Sequence, residues 1–553
     1  MKKKILALFF AATIAVSGCA ASSGEEANGQ SGDSAMKDTI VMGVLGSAPL
    51  ILEPFATGDP DFNKFFYASL LDINDGEYKP YLAESYEISN DNKKMTFYLN
   101  KNAKWHDGEP ITAEDVAFTF DCIADKGYAG TGYNKAESIK GVPERHEGKA
   151  DTVEGIEVID EHTIEFNFDQ PYAPAFFYIT SRSIIPEHIW KGIPVAEFSN
   201  QVELLKNPIG SGPYKFVEYE EGQQMTFVAN DDFFLGKPKT ENFIVKHIAP
   251  DGILAEYQNG TIDIVDATSL TTDDIDTLKG MGIETESYTN SWYNYIAMNL
   301  RETVFQDQAL RSALAYAIDR EKIVETIYEG RGETLDAPFL PGGWADPDKS
   351  DITVRTYDPE KAKSILKDAG YKDNDDDGIL ENGDGVKLSF TFKYPSGTAA
   401  TEQTALVVQQ SFKEIGVNIE LIKCEENAFW EECIYNHDFD MYTTACAITA
   451  DPDLKEWWHS SSASDEKGVP SWNFGAYKNP ELDEVIEQAN ETLDQGERKE
   501  LYTKAAQIIS EDEPLIFLNV QEKIYAYPEG TKGFSADTFS TYYNIYNWEV
   551  PER

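Results

Sequence analysis

The chain has 553 residues, 41% hydrophobic and 12% aromatic, enough for at least two folded lobes because single cores stop growing near about 250–300 residues. Its 97 acidic residues against 47 basic ones give a formal charge of −50, which excludes a partner held by neutralising phosphates, so no nucleic acid is expected. A heavily solvated surface on an exported protein accounts for this acidity better than an attraction for cationic ligands.

The chain opens with Lys2, Lys3 and Lys4, an uncharged apolar run from Ile5 to Val16, and the small residues Ser17 and Gly18. That is the pattern of an export signal. The run is too short to remain as a spanning helix in about 30 Å of hydrocarbon. Val16-Ser17-Gly18-Cys19 looks like a bacterial lipobox, which makes residues 1–18 a cleaved lipoprotein signal peptide and Cys19 the acylated new N-terminus. The Ser-, Gly-, Glu- and Asn-rich tract that follows cannot repay its ordering entropy, so 19–37 is expected to be a flexible tether. The expected location is the extracellular face of the cell membrane. Cys122, Cys424, Cys433 and Cys446 lack metal-binding spacings. One disulfide among the last three stays open.

Thr39 to Val44 reads as a strand, stopped by Gly46 and Pro49. Leu310, Ala313, Leu314, Ala317 and Ile318 recur at helical spacing behind the cap Asp307; Leu482, Val485, Ile486 and Ala489 do so behind Asn479-Pro480. Leu501, Ala505, Ile508 and Ile509 predict a further helix, and Lys387 to Tyr394 and Asn418 to Ile422 predict strands, so the second half alternates as α/β layers do. In the acidic run 373–384, Asp373, Asp375, Asp377, the Ile379 carbonyl and Asp384 fall at calcium-loop spacing around Gly378. Asp384 is shorter than the usual closing glutamate, and an acidic surface turn is the competing reading. Any such ion is structural; no cofactor is required.

Ordered blocks then carry a resemblance. They are Leu82-Ala83-Glu84-Ser85-Tyr86, Trp105-His106-Asp107-Gly108, Ile111 to Val116, Asn207 to Tyr214, Asn259-Gly260-Thr261-Ile262-Asp263, Ala309 to Arg320 and Phe439-Asp440-Met441. Together they resemble family 5 of the extracellular solute-binding proteins, the oligopeptide- and dipeptide-binding lipoproteins of ABC importers. The resemblance implies a two-lobe, periplasmic-binding-protein-like α/β fold with an extra subdomain in lobe one and a two-strand hinge. Lobe I is expected at 38–60, 176–290 and 517–553, the subdomain at 61–175, and lobe II at 291–516, with crossings near Thr289 to Tyr293 and Phe517 to Val520. Taken locally, Gly210-Ser211-Gly212-Pro213 is a turn and not a phosphate cradle, because no P-loop or dinucleotide context surrounds it. His106 is assigned no chemistry.

The family's ligand segments correspond here to Gly46, Ser47 and Ala48, and to the stretch from Thr444 through Cys446, Ala447 and Ile448 to Asp451. Trp292, Tyr293, Tyr295 and Trp472 are aromatic wall candidates, with Asn473 a candidate amide contact. Where many peptide binders carry an aspartate for the ligand's ammonium, this chain has Ile448. Either Asp451 replaces it, or the amino end is held elsewhere or is absent. The partners implied are a peptide ligand longer than a dipeptide, a membrane permease and its ATPase, and the lipid anchor; the protein itself is expected to be a monomer. A different ligand for the same cleft (a metal chelate, a sugar or an opine-like compound) and a sensory lipoprotein are the alternatives. No nucleophile–base pair, metal set or cofactor motif suggests an enzyme.

Overall fold

The computed structural model describes residues 35–45, 65–130 and 132–553. The signal segment, Cys19 and Gly46-Ser47-Ala48 lie outside them. The strands in chain order are β1 (Thr39–Leu45), β2 (Leu71–Asn74), β3 (Glu77–Pro80), β4 (Ala83–Ile88), β5 (Lys94–Leu99), β6 (Ile156–Asp160), β7 (Thr163–Asn167), β8 (Tyr214–Glu220) and β9 (Gln224–Ala229). They continue with β10 (Asn242–Ile248), β11 (Ile264–Asp266), β12 (Ile283–Met298), β13 (Gly332–Thr334), β14 (Ser389–Pro395), β15 (Asn418–Cys424), β16 (Met441–Ala447) and β17 (Leu515–Pro528).

Local chemistry sets the helix starts. The Asp307 side chain accepts from the Ala309 amide at 2.9 Å and begins the helix Gln308–Ala317; Asn479 accepts from Glu481 and Leu482 amides and begins Pro480–Glu491, each satisfying donors that a helix's first turn leaves open. In the Ile111 to Val116 block, Asp115 reaches back to the Thr112 amide at 2.8 Å and also takes the Glu187 amide at 2.9 Å. That motif is therefore a helix start pinned to the first residue of a distant short helix, Glu187–Trp190. The glycines of 210–213 serve close approach: a Cβ on Gly212 would stand 2.0 Å from the Phe65 carbonyl oxygen, and the Ser211 and Gly212 amides both donate to Phe66 O.

The strand order in the large sheet is β15-β14-β16-β12-β17-β11-β1-β10-β9-β8, with β13 added on β17. Strands β12 and β17 are members of both halves. Their antiparallel ladder runs from Ile283 opposite Pro528 to Ala297 opposite Leu515, and its register breaks between Thr289 and Tyr293. On one side of the break lie β11, β1, β10, β9 and β8, covered by the clusters around Phe227 and Ile253; on the other lie β16, β14 and β15, covered by those around Tyr442 and Phe412. This is a two-lobe fold crossed by two strands. The extra subdomain carries its own sheet, β4-β5-β7-β6, around Phe97, Phe120 and Phe166. Its core also takes in Trp190, Phe198 and Phe233.

Met36 and Lys37, placed by sequence at the end of the tether, are already part of the folded unit: Met36 bridges Pro551, and the Lys37 ammonium meets Asp263 at 2.6 Å. Cys122, Cys424, Cys433 and Cys446 are free and buried. Among the described residues no helix is long and apolar enough to cross a membrane.

Candidate ligand-binding cleft

The stretch Asn290 to Trp292 of β12 has no partner on β17, and it lines the space between the lobes. One cavity there holds about 600 Å³ and takes walls from the subdomain (Leu71, Arg182), lobe I (Tyr288, Thr541) and lobe II (Trp292, Ile448). A second of about 450 Å³ shares Ile448 to Ala450 and Asp537 to Phe539 with it. A third of about 360 Å³ shares Lys135 and Tyr178. Three adjoining cavities thus form a row, each within the size range of small-ligand sites.

Side chains bridge the lobes along this row. The Tyr172 hydroxyl donates to Asp453 at 2.6 Å and the Tyr178 hydroxyl to the same oxygen at 3.3 Å, both from the subdomain to lobe II. Burial beside that carboxylate holds both phenols well above their ordinary range. Lys455 meets Glu137 at 3.0 Å, and the Ala173 amide donates to Asn490 O. At the hinge, Thr538 Oγ1 donates to Thr289 O at 2.9 Å.

The residues singled out by sequence separate into two sets. Trp292, 51% exposed, lies on the wall of the first of these cavities with Ala447 and Ile448, and Trp472 lies on the third. The Ile448 amide donates to Ser291 O at 2.6 Å, which extends the β12–β16 ladder into the cleft. Tyr293 and Tyr295 are 2% and 0% exposed and pack with Phe517, Phe474 and Tyr442 in the lobe II core, and Tyr293 also lines a small cavity of about 20 Å³ with Ala447 and Ile448. Cys446 stands opposite Tyr293 and Thr444 opposite Tyr295 on the ladder. Asn473 spends its amide on the loop around it, donating to Tyr477 O at 2.7 Å and accepting from the Tyr477 amide at 2.9 Å.

Asp451 is also committed elsewhere. Its carboxylate meets the Arg498 guanidinium through both oxygens, with Arg498 Nη1 3.0 Å from Oδ2. The Arg498 side chain is 5% exposed and lies 5.2 Å from the Trp344 ring centroid. A carboxylate so paired is not at the disposal of a ligand ammonium.

In the acidic loop, Asp373, Asp375 and Asp377 place carboxylate oxygens within 4.8 Å of one another. The Lys387 ammonium donates to Asp375 at 2.8 Å and to Asp377, supplying a cation. Asp373 accepts from the Gly378 amide at 2.9 Å, and the Ile379 amide donates to Asp377. Asp384 does not join this trio. Three of the four expected carboxylate ligands therefore converge.

Sequence reasoning missed the C-terminal wall from Asp537 to Tyr546 and the subdomain residues Lys135, Tyr178 and Arg182. The dense polar and aromatic run Thr538-Phe539-Ser540-Thr541-Tyr542 was the available signal for the first; nothing local marks the others.

Comparison with known proteins agrees with this geometry. The oligopeptide-binding protein AppA of Bacillus subtilis strain 168 is 31% identical over 555 residues, 98% of this chain and 98% of that protein. The structure of AppA from Bacillus subtilis with a nonapeptide superposes with a TM-score of 0.79 at 29% identity, over 94% of this chain and 100% of that one. NikZ from Campylobacter jejuni in complex with Ni(L-His) gives 0.77 at 26% identity, over 93% and 99%. The description "Bacterial extracellular solute-binding proteins, family 5 Middle" matches residues 77–467, and this family consists of the binding components of transporters, not enzymes. The chain belongs to the bacterial extracellular solute-binding proteins of family 5.

Proposed function

We propose that the protein captures peptides longer than a dipeptide between its lobes and delivers them to the permease and ATPase of an ABC importer. The observation that carries this reading is the row of three adjoining cavities, which suits an extended chain better than a compact solute. A peptide lying there meets the stretch Asn290 to Trp292, whose β17 side carries no strand partner, and holds its side chains in roomy, polar pockets, the mode of recognition that tolerates varied sequence. Closure about β12 and β17 then reports occupancy, because a ligand favours the closed state only through contacts it makes there.

In the same reading, lipid on Cys19 anchors a monomer at the extracellular face of the membrane, and the stretch 20–35 is the tether. Trp292, Ala447, Ile448 and Trp472 are its ligand contacts, with Gly46 to Ala48 joining from the loop after β1. The test is mass spectrometry of material released from the purified protein by denaturation. A set of peptides of several lengths supports the reading, whereas a single metal chelate or sugar replaces it with another ligand class in the same cleft.

A further inference from the structure

Where β12 parts from β17, β13 takes up the opposite edge of β17, with Gly332 in register with Gln521 and Thr334 with Asn519. The seat is close: a Cβ on Gly332 would stand 2.4 Å from Val520 O. The turn just before it, Glu329-Gly330-Arg331, follows the lobe II helix Arg320–Ile327. Glu329 and Gly330 hold φ of 54° and 76°, the left-handed backbone that commonly ends a helix. The Gly330 amide donates to Val324 O at 3.0 Å, the Arg331 amide donates to Tyr328 O at 2.9 Å, and Arg331 O accepts from the Glu522 amide at 3.2 Å. The turn is thus fixed to lobe II and to the crossing strand.

Its two charged side chains reach into lobe I. Glu329 Oε2 accepts from the Thr272 amide at 2.8 Å and from Thr272 Oγ1 at 2.7 Å, at the first turn of the helix Thr272–Gly280, where an anion is favoured. Arg331 Nη2 donates to Leu270 O at 2.8 Å and Nη1 to Thr268 O at 3.5 Å. The lobe I side is equally fixed: Thr271 and Asp274 close a capping box, and Thr268 Oγ1 accepts from the Ile524 amide at 2.9 Å. None of these residues lines the three cleft cavities. Two rigid bodies are therefore joined by side-chain hydrogen bonds, which are lost once the atoms part beyond about 3.5 Å. Rotation at the Asn290 to Trp292 break moves these bodies against each other, so the full set of bonds belongs to one lobe angle. That angle is the one at which Tyr172 meets Asp453 across the cleft.

We propose that Glu329 and Arg331 form a hinge clasp that favours the closed lobes before any ligand arrives. Such a contact raises affinity for every ligand by one common factor, because the apparent dissociation constant scales inversely with the binding-competent fraction. The clasp lies away from the cleft cavities, and its action does not depend on the ligand's being a peptide.

The test reads the lobe angle with no ligand present. Val217 on lobe I and Leu406 on lobe II are 54% and 53% exposed. Spin labels on Val217→Cys and Leu406→Cys, in the full Cys19→Ala chain freed of bound material, report the distance between lobes; the other four cysteines are buried. The weights of short and long distances give the ratio of closed to open molecules. The labelled parent is expected to populate the closed distance, and Arg331→Ala to lower that ratio about tenfold, as loss of a charged donor's bonds does. Glu329→Ala and Thr272→Val cut the more exposed bonds from opposite lobes and are expected to lower it about threefold. Glu325→Ala removes an equal charge from the same helix, where its partner Lys322 also belongs to lobe II, and is expected to leave the ratio unchanged. Melting temperatures check each fold, and Thr272→Val carries the test where the turn does not tolerate change. A parent found only at the open distance overturns the clasp, as do clasp variants that keep the parent's ratio. So does a Glu325→Ala shift equal to that of Glu329→Ala. None of these outcomes touches the peptide reading, which the material released from the protein decides.

Discussion

Asp451 and Arg498, 47 residues apart in sequence, form a two-point ion pair inside lobe II, with side chains 15% and 5% exposed. The first prediction follows from this pairing. Acetylating a peptide's N-terminus is expected to change affinity less than about threefold, since an ammonium held by a dedicated buried carboxylate would lose several kcal/mol. Asp451→Asn is expected to destabilise the fold by about 3–5 kcal/mol by stranding the guanidinium. Calorimetry on matched free and acetylated peptides, with denaturant titration of the variant, checks both. A large loss on acetylation means that another carboxylate reads the amine.

The Tyr172–Asp453 bond spans the cleft, so it exists only while subdomain and lobe II are together. Tyr172→Phe removes one charge-assisted donor, worth about 1.5–3 kcal/mol, and Tyr178 still faces the same oxygen. Peptide dissociation should therefore quicken by about three- to tenfold with little change in association. Stopped-flow displacement measures this. Unchanged dissociation would show that the bond plays no part in holding the closed state.

Helix starts were legible because their chemistry is local: Asp307 and Asn479 cap helices that begin within two residues of them. The cleft was legible only in part. Trp292, Tyr293 and Tyr295 looked alike as aromatic residues on one strand, yet alternation and the register break after Thr289 turn Trp292 into the cleft and the two tyrosines into the core. Asp451 reads as a free carboxylate until Arg498 is folded onto it. Lys135 and Arg182 lie in segments with no motif, and only the packing of the subdomain against the cleft brings them together.

His106 supplies a pH prediction. Its Nε2–H donates to Gly212 O at 3.0 Å while Nδ1 accepts from the Gly210 amide at 3.2 Å, an arrangement only the neutral ring can make. Burial pushes its pKa down to about 4 from an ordinary 6.5. The unfolded chain thus takes up the proton first, so this stability is complete above about pH 6.5 and is lost as pH falls toward 4, amounting to about 3 kcal/mol. The stability difference between the parent and His106→Gln should narrow across that window; a constant difference contradicts the neutral-ring account.

For the anchor, Cys19→Ala is expected to leave export intact while releasing the protein from membranes, because two or more acyl chains are what stable attachment requires. Fractionation of cells producing each form measures it. Continued membrane association of the variant would remove Cys19 from that role.

The acidic loop allows a last prediction, set by competition between a lysine and a divalent ion. Asp373, Asp375 and Asp377 together carry three negative charges, and Lys387 returns one, so the loop remains an attractive oxygen site at the spacing calcium uses. The ammonium donates to two of these carboxylates, hence binding requires its displacement and should be weak, with Kd on the order of 10⁻⁴–10⁻³ M as in extracellular calcium modules. Calcium well above that range should raise the parent's Tm by a few degrees, in line with about 1–2 kcal/mol of linkage. Lys387→Met is expected to enlarge the response by removing the competitor, and Asp375→Ala with Asp377→Ala to abolish it. A parent whose Tm is the same in excess calcium and in chelator leaves Lys387 as the loop's own cation and ends the calcium reading.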